Sequence, residues 1–161
     1  MDCLFCNIVN QTEPAVVLYR DAVCTVILDV YPMSEGHALV LPNRHVALAS
    51  ELDPTEFQHL TRVWQGLLRA YRDAGVAQDG ANLLLNDGSA ANQHVPHVHL
   101  HLIPRKRGDT AKTLLSFATR MVNLFTGRKR HAALQTFAER VAPAIAMHLP
   151  APQPGASPAG D

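Results

Sequence analysis

His97, His99 and His101 alternate with Val98, Leu100 and Leu102. In an extended chain alternate side chains share a face, so the three imidazoles line one side while the aliphatic residues turn to a core. One strand histidine is commonly satisfied by a hydrogen bond. Three side by side are unfavourable to desolvate unless each has a partner, which points to a ligand, a metal or a catalytic network. A His-x-His pair on a strand can hold zinc, and a neutral imidazole oriented through its other nitrogen is a nucleophile towards phosphorus. Spacing alone does not separate the two. Asn86, Gly88 and Ser89 sit in the loop leading to Gln93-His-Val-Pro-His97, and such amide and backbone donors suit oxyanions rather than metals.

Other chemistry-bearing residues are spread along the chain. Cys3-x-x-Cys6 offers two thiolates, and His45 and His97 could complete a closed tetrahedral set. Taken alone, the pair reads equally as half-buried thiols or a redox couple. Cys24 falls on a predicted strand and reads as a core thiol. Arg105-Lys-Arg107 and Arg128-Lys-Arg-His131 read first as a solvated face or helix end; the former directly follows the histidines, where it could also touch the distal phosphates of a long polyphosphate, and the latter reads as surface.

Several elements must position these residues. Val16–Arg20 and Val23–Asp29 read as a hairpin turning at Asp21-Ala22, and Gly36–Pro42 as a third strand. From Pro54 to Ala74 apolar residues recur at helical spacing, with Asp53 as N-cap, Pro54 at the first position and Gly75 beyond the end. Residues 81–86 and 97–103 read as two further strands. Helical patterning over 110–148 is clearest from Ala132 to Ala146, and 149–161 is a Pro/Ala/Gly-rich segment expected to be disordered and dispensable. Strands first, then helices, predict an α+β domain around an antiparallel sheet.

Bulk properties narrow the partners. The 161 residues fit one core, with 47% hydrophobic residues to fill it, and 14 acidic side chains balance 14 basic ones. Without a net field, neither nucleic acid nor an anionic membrane is an expected partner. No signal-peptide pattern or membrane-length apolar run occurs, and few cysteines suit a reducing compartment, so the expectation is a cytoplasmic protein.

The Gln93-His-Val-Pro-His-Val-His-Leu-His101 segment resembles the signature of the histidine triad (HIT) superfamily. The likeness extends through Gly36-His-Ala-Leu-Val-Leu-Pro42 and Arg44-His45 and reaches Cys3, covering roughly residues 3–107 as a HIT domain. Residues 108–148 then form a helical extension and 149–161 a tail. The resemblance implies a five-stranded antiparallel sheet, a homodimer, and hydrolysis or transfer at a nucleoside α-phosphate through a covalent nucleotidyl-histidine. Carried over by position, His99 matches the nucleophile, His101 the histidine that binds the phosphate, His97 the one that orients the triad, and Gln93 with Asn86 the amides around the phosphate oxygens. Asp29 matches the residue that accepts from the ribose hydroxyls, Leu4, Phe5, Ile8 and Ile27 match positions around the base, and His37 matches a histidine near the triad. Some bacterial-type members carry a structural zinc, whose ligands match Cys3, Cys6, His45 and His97.

Two positions depart from the pattern. His94 stands where the family usually has a small hydroxyl residue, and it is expected to tune substrate choice within the nucleotide site. Asn92 replaces a usual glycine; asparagine tolerates left-handed backbone better than most residues. Ile103-Pro-Arg-Lys106 resembles the dinucleoside polyphosphate hydrolase branch and Asn86 the phosphoramidase branch, so the expected substrates are dinucleoside polyphosphates or nucleoside phosphoramidates. The alternatives are a nucleotide-binding regulatory protein with little turnover and a metal-dependent hydrolase built on the triad.

Overall fold

Cys24–Leu28 and Ala38–Pro42 are buried along their whole length, as happens when both faces of a sheet are covered. They form strands β2 and β3 of a five-stranded antiparallel sheet completed by β1 (Val17–Arg20), β4 (Gly80–Leu85) and β5 (Leu100–Arg105), in the order β1-β2-β3-β5-β4. The computed structural model describes residues 3–119 and 127–150, with helices α1 (Leu4–Val9), α2 (Pro54–Asp73), α3 (Thr110–Thr119) and α4 (Gly127–His148). The α+β architecture follows the expectation.

The sheet has two unlike faces. Val26, Leu28, Ala38, Val40, Val98, Leu100 and Leu102 pack with Leu60, Val63, Leu67 and Tyr71 of α2 and with Phe137, Val141 and Ile145 of α4. On the opposite face Ile27, Leu39 and Leu41 meet Cys3, Phe5 and Ile8. The long helices therefore stabilise one side, and short α1 covers the side towards which the triad points.

Local signals hold where side chains enforce them. Asp53 caps α2 by accepting from the Thr55 amide at 2.8 Å, Pro54 occupies the first turn, and Gly75 adopts φ +74° past the end. The Asp21 carboxylate accepts from the Val23 and Cys24 amides, from the Tyr19 hydroxyl and from His59, each at 2.8 Å, so it closes the hairpin and pins it to α2. Burial alone would raise its pKa, but these hydrogen bonds outweigh burial and hold it below the usual carboxylate range.

Two expectations change. The ladder of β5 starts at Leu100, so only His101 of the triad lies in a strand. Ahead of it the His97 amide donates to Val95 at 2.8 Å and the Val98 amide to Val46 at 2.7 Å, which diverts that segment from pairing with β4. The segment expected to be dispensable from Leu149 begins with a residue that is 6% exposed and part of the main core. A Cβ on Gly66 would lie 2.5 Å from Leu149 Cδ2, so the mid-helix glycine of α2 makes room for the residue that follows α4. Residues 151–161 lie outside the described residues. Leu149→Ala should lower stability by about 2–3 kcal/mol, read as a shift in the urea midpoint at unchanged slope.

Candidate active site

Six-residue α1 places Cys3 and Cys6 one turn apart beside the loop carrying His45 and the approach to β5 carrying His97. Cys6 Sγ lies 3.2 Å from His45 Nδ1 and 3.5 Å from His97 Nδ1, and Cys3 Sγ lies 3.6 Å from His97 Nδ1. All four ligand atoms fall within 4.8 Å of one another. Zinc with bonds of about 2.3 Å to sulfur and about 2.0 Å to nitrogen sets a tetrahedral S···N edge of about 3.5 Å. The donor set fits such an ion in both chemistry and span. Burial and the adjoining Cys3 thiol push the Cys6 thiol up to about 11, so a cation binding here displaces thiol protons.

His97 belongs to this cluster rather than to the cavity beside it. Its Nε2–H donates to the Pro42 carbonyl at 2.9 Å, which leaves the Nδ1 lone pair directed at the thiols. Burial pushes the ring down to about 4, so it is neutral at physiological pH.

The His97 carbonyl accepts at 2.8 Å from His99 Nδ1. A carbonyl only accepts, so His99 carries a proton on Nδ1. A neutral ring held this way presents at Nε2 the lone pair that nucleophilic attack on phosphorus requires. His99 is 6% exposed and its ring stands 5.1 Å from Phe5 and 4.8 Å from His101.

His101 is held through a buried chain. His37 Nε2 lies 2.9 Å from His101 Nδ1, and His37 Nδ1 lies 3.2 Å from the Met33 amide and 3.4 Å from Asp29 Oδ2. The amide contact is the shorter and well directed, so in neutral His37 Nδ1 accepts from Met33; a protonated ring would turn that nitrogen to Asp29. With Nδ1 accepting from Met33, His37 holds its proton on Nε2 and donates to His101 Nδ1, which places the hydrogen of a neutral His101 on Nε2.

A cavity of about 470 Å³ joins these groups, lined by His99 and His101, by Leu4, Phe5, Ile8 and Ile27, by Asp29 and Asn86, and by Asn92 and His94. Its volume suits a nucleotide-sized ligand. Asp29 accepts from the Tyr31 amide through one oxygen at 2.8 Å. His94 is exposed at the cavity's edge, and Asn92 takes the left-handed conformation at φ +62°.

Two candidate groups sit elsewhere. Gln93 does not line the cavity: its oxygen accepts from Gly88 at 2.7 Å and its amide donates to the Ala47 carbonyl at 2.8 Å, so it staples the loop. Arg105 is committed to Asp109 and Asn82, and Arg107 is 93% exposed beside Asp79. At about 3.3 Å per residue β5 carries this basic run away from the triad, so it does not face the cavity. The side chains of residues 128–130 in the second run lie outside the described residues. Asn92, Val95 and Tyr31 line the site without having been expected to; only the left-handed tolerance of Asn92 gave a signal.

Residues 10–108 match the family model of the HIT domain. This chain belongs to the HIT family. Similar proteins include an adenylylsulfatase of Arabidopsis thaliana, 38% identical over 108 residues, 67% of this chain and 54% of the relative. An adenosine 5′-monophosphoramidase of Schizosaccharomyces pombe is 36% identical over 105 residues, 65% of this chain and 75% of the relative. Among solved structures, a zinc-bound histidine triad family protein from Mycobacterium smegmatis superimposes with a TM-score of 0.72 at 32% identity, covering 91% of this chain and 95% of that one. Among the described residues of the present HIT protein, no helix is long and apolar enough to cross a membrane. Gln93→Ala should cost about 1–2 kcal/mol through two lost hydrogen bonds to backbone, seen as a lower thermal midpoint, with protease cleavage between residues 86 and 95 as the local readout.

Proposed function

We propose that this HIT protein hydrolyses nucleoside 5′-phosphoric derivatives at the α-phosphorus, releasing a nucleoside monophosphate, with His99 as nucleophile. The observation that carries this reading is the Nδ1–H···O=C bond from His99 to His97, which directs the Nε2 lone pair to the cavity side of the ring. In the first step Nε2 forms a bond to phosphorus while the bond to the leaving group breaks, the leaving group departing with its electron pair and taking a proton from solvent water. Water then attacks the nucleotidyl-imidazole in line and returns a proton to solvent, and His99 leaves with its electrons restored to Nε2. His101 Nε2–H and the Asn86 amide donate to the phosphate oxygens as charge shifts onto them. Asp29 accepts from the ribose hydroxyls, and Phe5, Ile8 and Ile27 flank the base.

The activities named for two relatives support the class of substrate. Adenosine 5′-phosphoramidate and adenylyl sulfate share an adenosine 5′-phosphoryl group and differ in the leaving group, to which we assign exposed His94 at the cavity's edge. The phosphoramidate is therefore the first substrate to test, and a diadenosine polyphosphate series the second. The exposed edge strand β4, with Leu83 45% exposed, is the surface through which the protein forms a homodimer.

Zinc held by Cys3, Cys6, His45 and His97 is structural in this reading. When bound it cross-links α1 to the loop and to the triad segment, and the four-ligand set leaves no position for substrate. Elemental analysis of metal-replete protein should give about one zinc per chain; in a Cys3→Ser, Cys6→Ser protein the metal is lost and the thermal midpoint falls. Zinc-free, fully folded wild-type protein would remove the site.

His99→Asn should lose at least about a thousandfold in kcat while still binding AMP, because it removes the attacking lone pair and little binding surface. An alkaline quench of wild-type protein during turnover should trap a nucleotidyl group on His99. Near wild-type turnover by His99→Asn, or a quench without adduct, overturns the mechanism.

A further inference from the structure

α4 lines neither the cavity nor the metal cluster and lies beyond the residues that match the HIT domain. It nevertheless grips the loop that delivers His37. Phe137 is 5% exposed, and its ring edge rests on Gly36, where an added Cβ would sit 2.5 Å from Cζ and 3.0 Å from Cε2. Gly36 takes φ +81°, so both its backbone and its missing side chain belong to this contact. Behind the ring stands Tyr71, edge to face at 5.7 Å, and beside it the Arg140 guanidinium lies 4.9 Å from the ring centroid and pairs with Glu35 at 2.7 Å.

Residues 35 and 36 are thus both engaged by one helix immediately before His37. From there the loop folds back on itself: the His37 amide donates to Ser34 at 3.1 Å, and the His37 carbonyl accepts from Asp29 at 2.9 Å. There is no slack between the ring of Phe137 and the imidazole that sets His101.

We propose that Phe137 is a positioning residue of the reaction, acting through Gly36 and His37 on His101; this rests on the reading of His101 as a phosphate donor. The buried ring carries the effect. Arg140 and Glu35 have side chains 52% and 58% exposed, and a solvated pair of that kind holds its partners weakly. A shorter side chain at 137 leaves space over Gly36, into which the loop relaxes, and His37 moves relative to His101. Misplacement of a catalytic group by about 1 Å can cost about a hundredfold in rate.

The test compares Phe137→Leu with Ile145→Ala, a truncation in the same helix and the same core, using full-length protein. Phe137→Leu should lower kcat on adenosine phosphoramidate by about tenfold or more while AMP affinity stays within about twofold, whereas Ile145→Ala loses stability and keeps kcat. In a His37→Asn background Phe137→Leu should cause no further loss of kcat, because the two act on one path. Imidazole ¹⁵N spectra should show His101 as a single Nε2–H tautomer in wild type and as a mixture in Phe137→Leu. Equal kcat in the two truncations, additive losses in the cycle, or an unchanged His101 spectrum overturns the proposal. Absence of a nucleotidyl adduct in wild type would instead overturn the reaction assigned to the site, and the spectra would still decide the role of Phe137.

Discussion

Burying an imidazole takes water from both ring nitrogens, and the folded chain must replace those contacts or lose stability. At His97 the replacements define the site. One nitrogen donates to Pro42, the other faces two thiols, and the residue's own carbonyl accepts from His99. A shift of this ring would at once loosen the Cys/His cluster, break a bond to β3 and release the Nδ1–H contact of His99. Geometry at His99 is therefore inherited from groups that do not line the cavity.

The two faces of the sheet divide the work. Against α2 and α4 the sheet builds the larger apolar core, and against α1 it builds a smaller one with the cavity and the cluster at its margin. Adjacent residues of β5 serve both ends, since Leu100 and Leu102 turn to the first core while His101 turns to the site. Such an arrangement keeps polar, functionally placed groups off the surface that supplies most of the burial. His37 links the two sides, because its loop is pressed by the larger core and its ring reaches the triad.

What could be read from the residues divides along physical lines. The α2 boundaries were legible because Asp53, Pro54 and Gly75 act on backbone within a turn of themselves. Two apolar runs of five residues read as strands for the same local reason. The triad's alternation was also legible, and the opposite facing of His and aliphatic residues survives even where His97 and His99 fall short of the ladder. Short α1 was not legible: no side chain caps it, and six residues form a helix only because Phe5 and Ile8 find a sheet to cover. The partners of Gln93 and of Arg105, namely Ala47, Gly88, Asp109 and Asn82, were not legible because they are a matter of tertiary placement. The family signature identifies which amide is present, and the loop decides where that amide points.

Cys3 and His97 are 94 positions apart, so the contact that anchors α1 is among the most non-local in the chain. Synthesis runs from the N-terminus, and at about 5–20 residues per second the first helix waits several seconds or more before its partners exist. During that interval Cys3 and Cys6 are solvent-exposed thiols on an unanchored segment, open to oxidants and to any soft cation. A segment made early thus waits for one made much later, and its two thiols gain their imidazole partners only once His45 and His97 have both emerged.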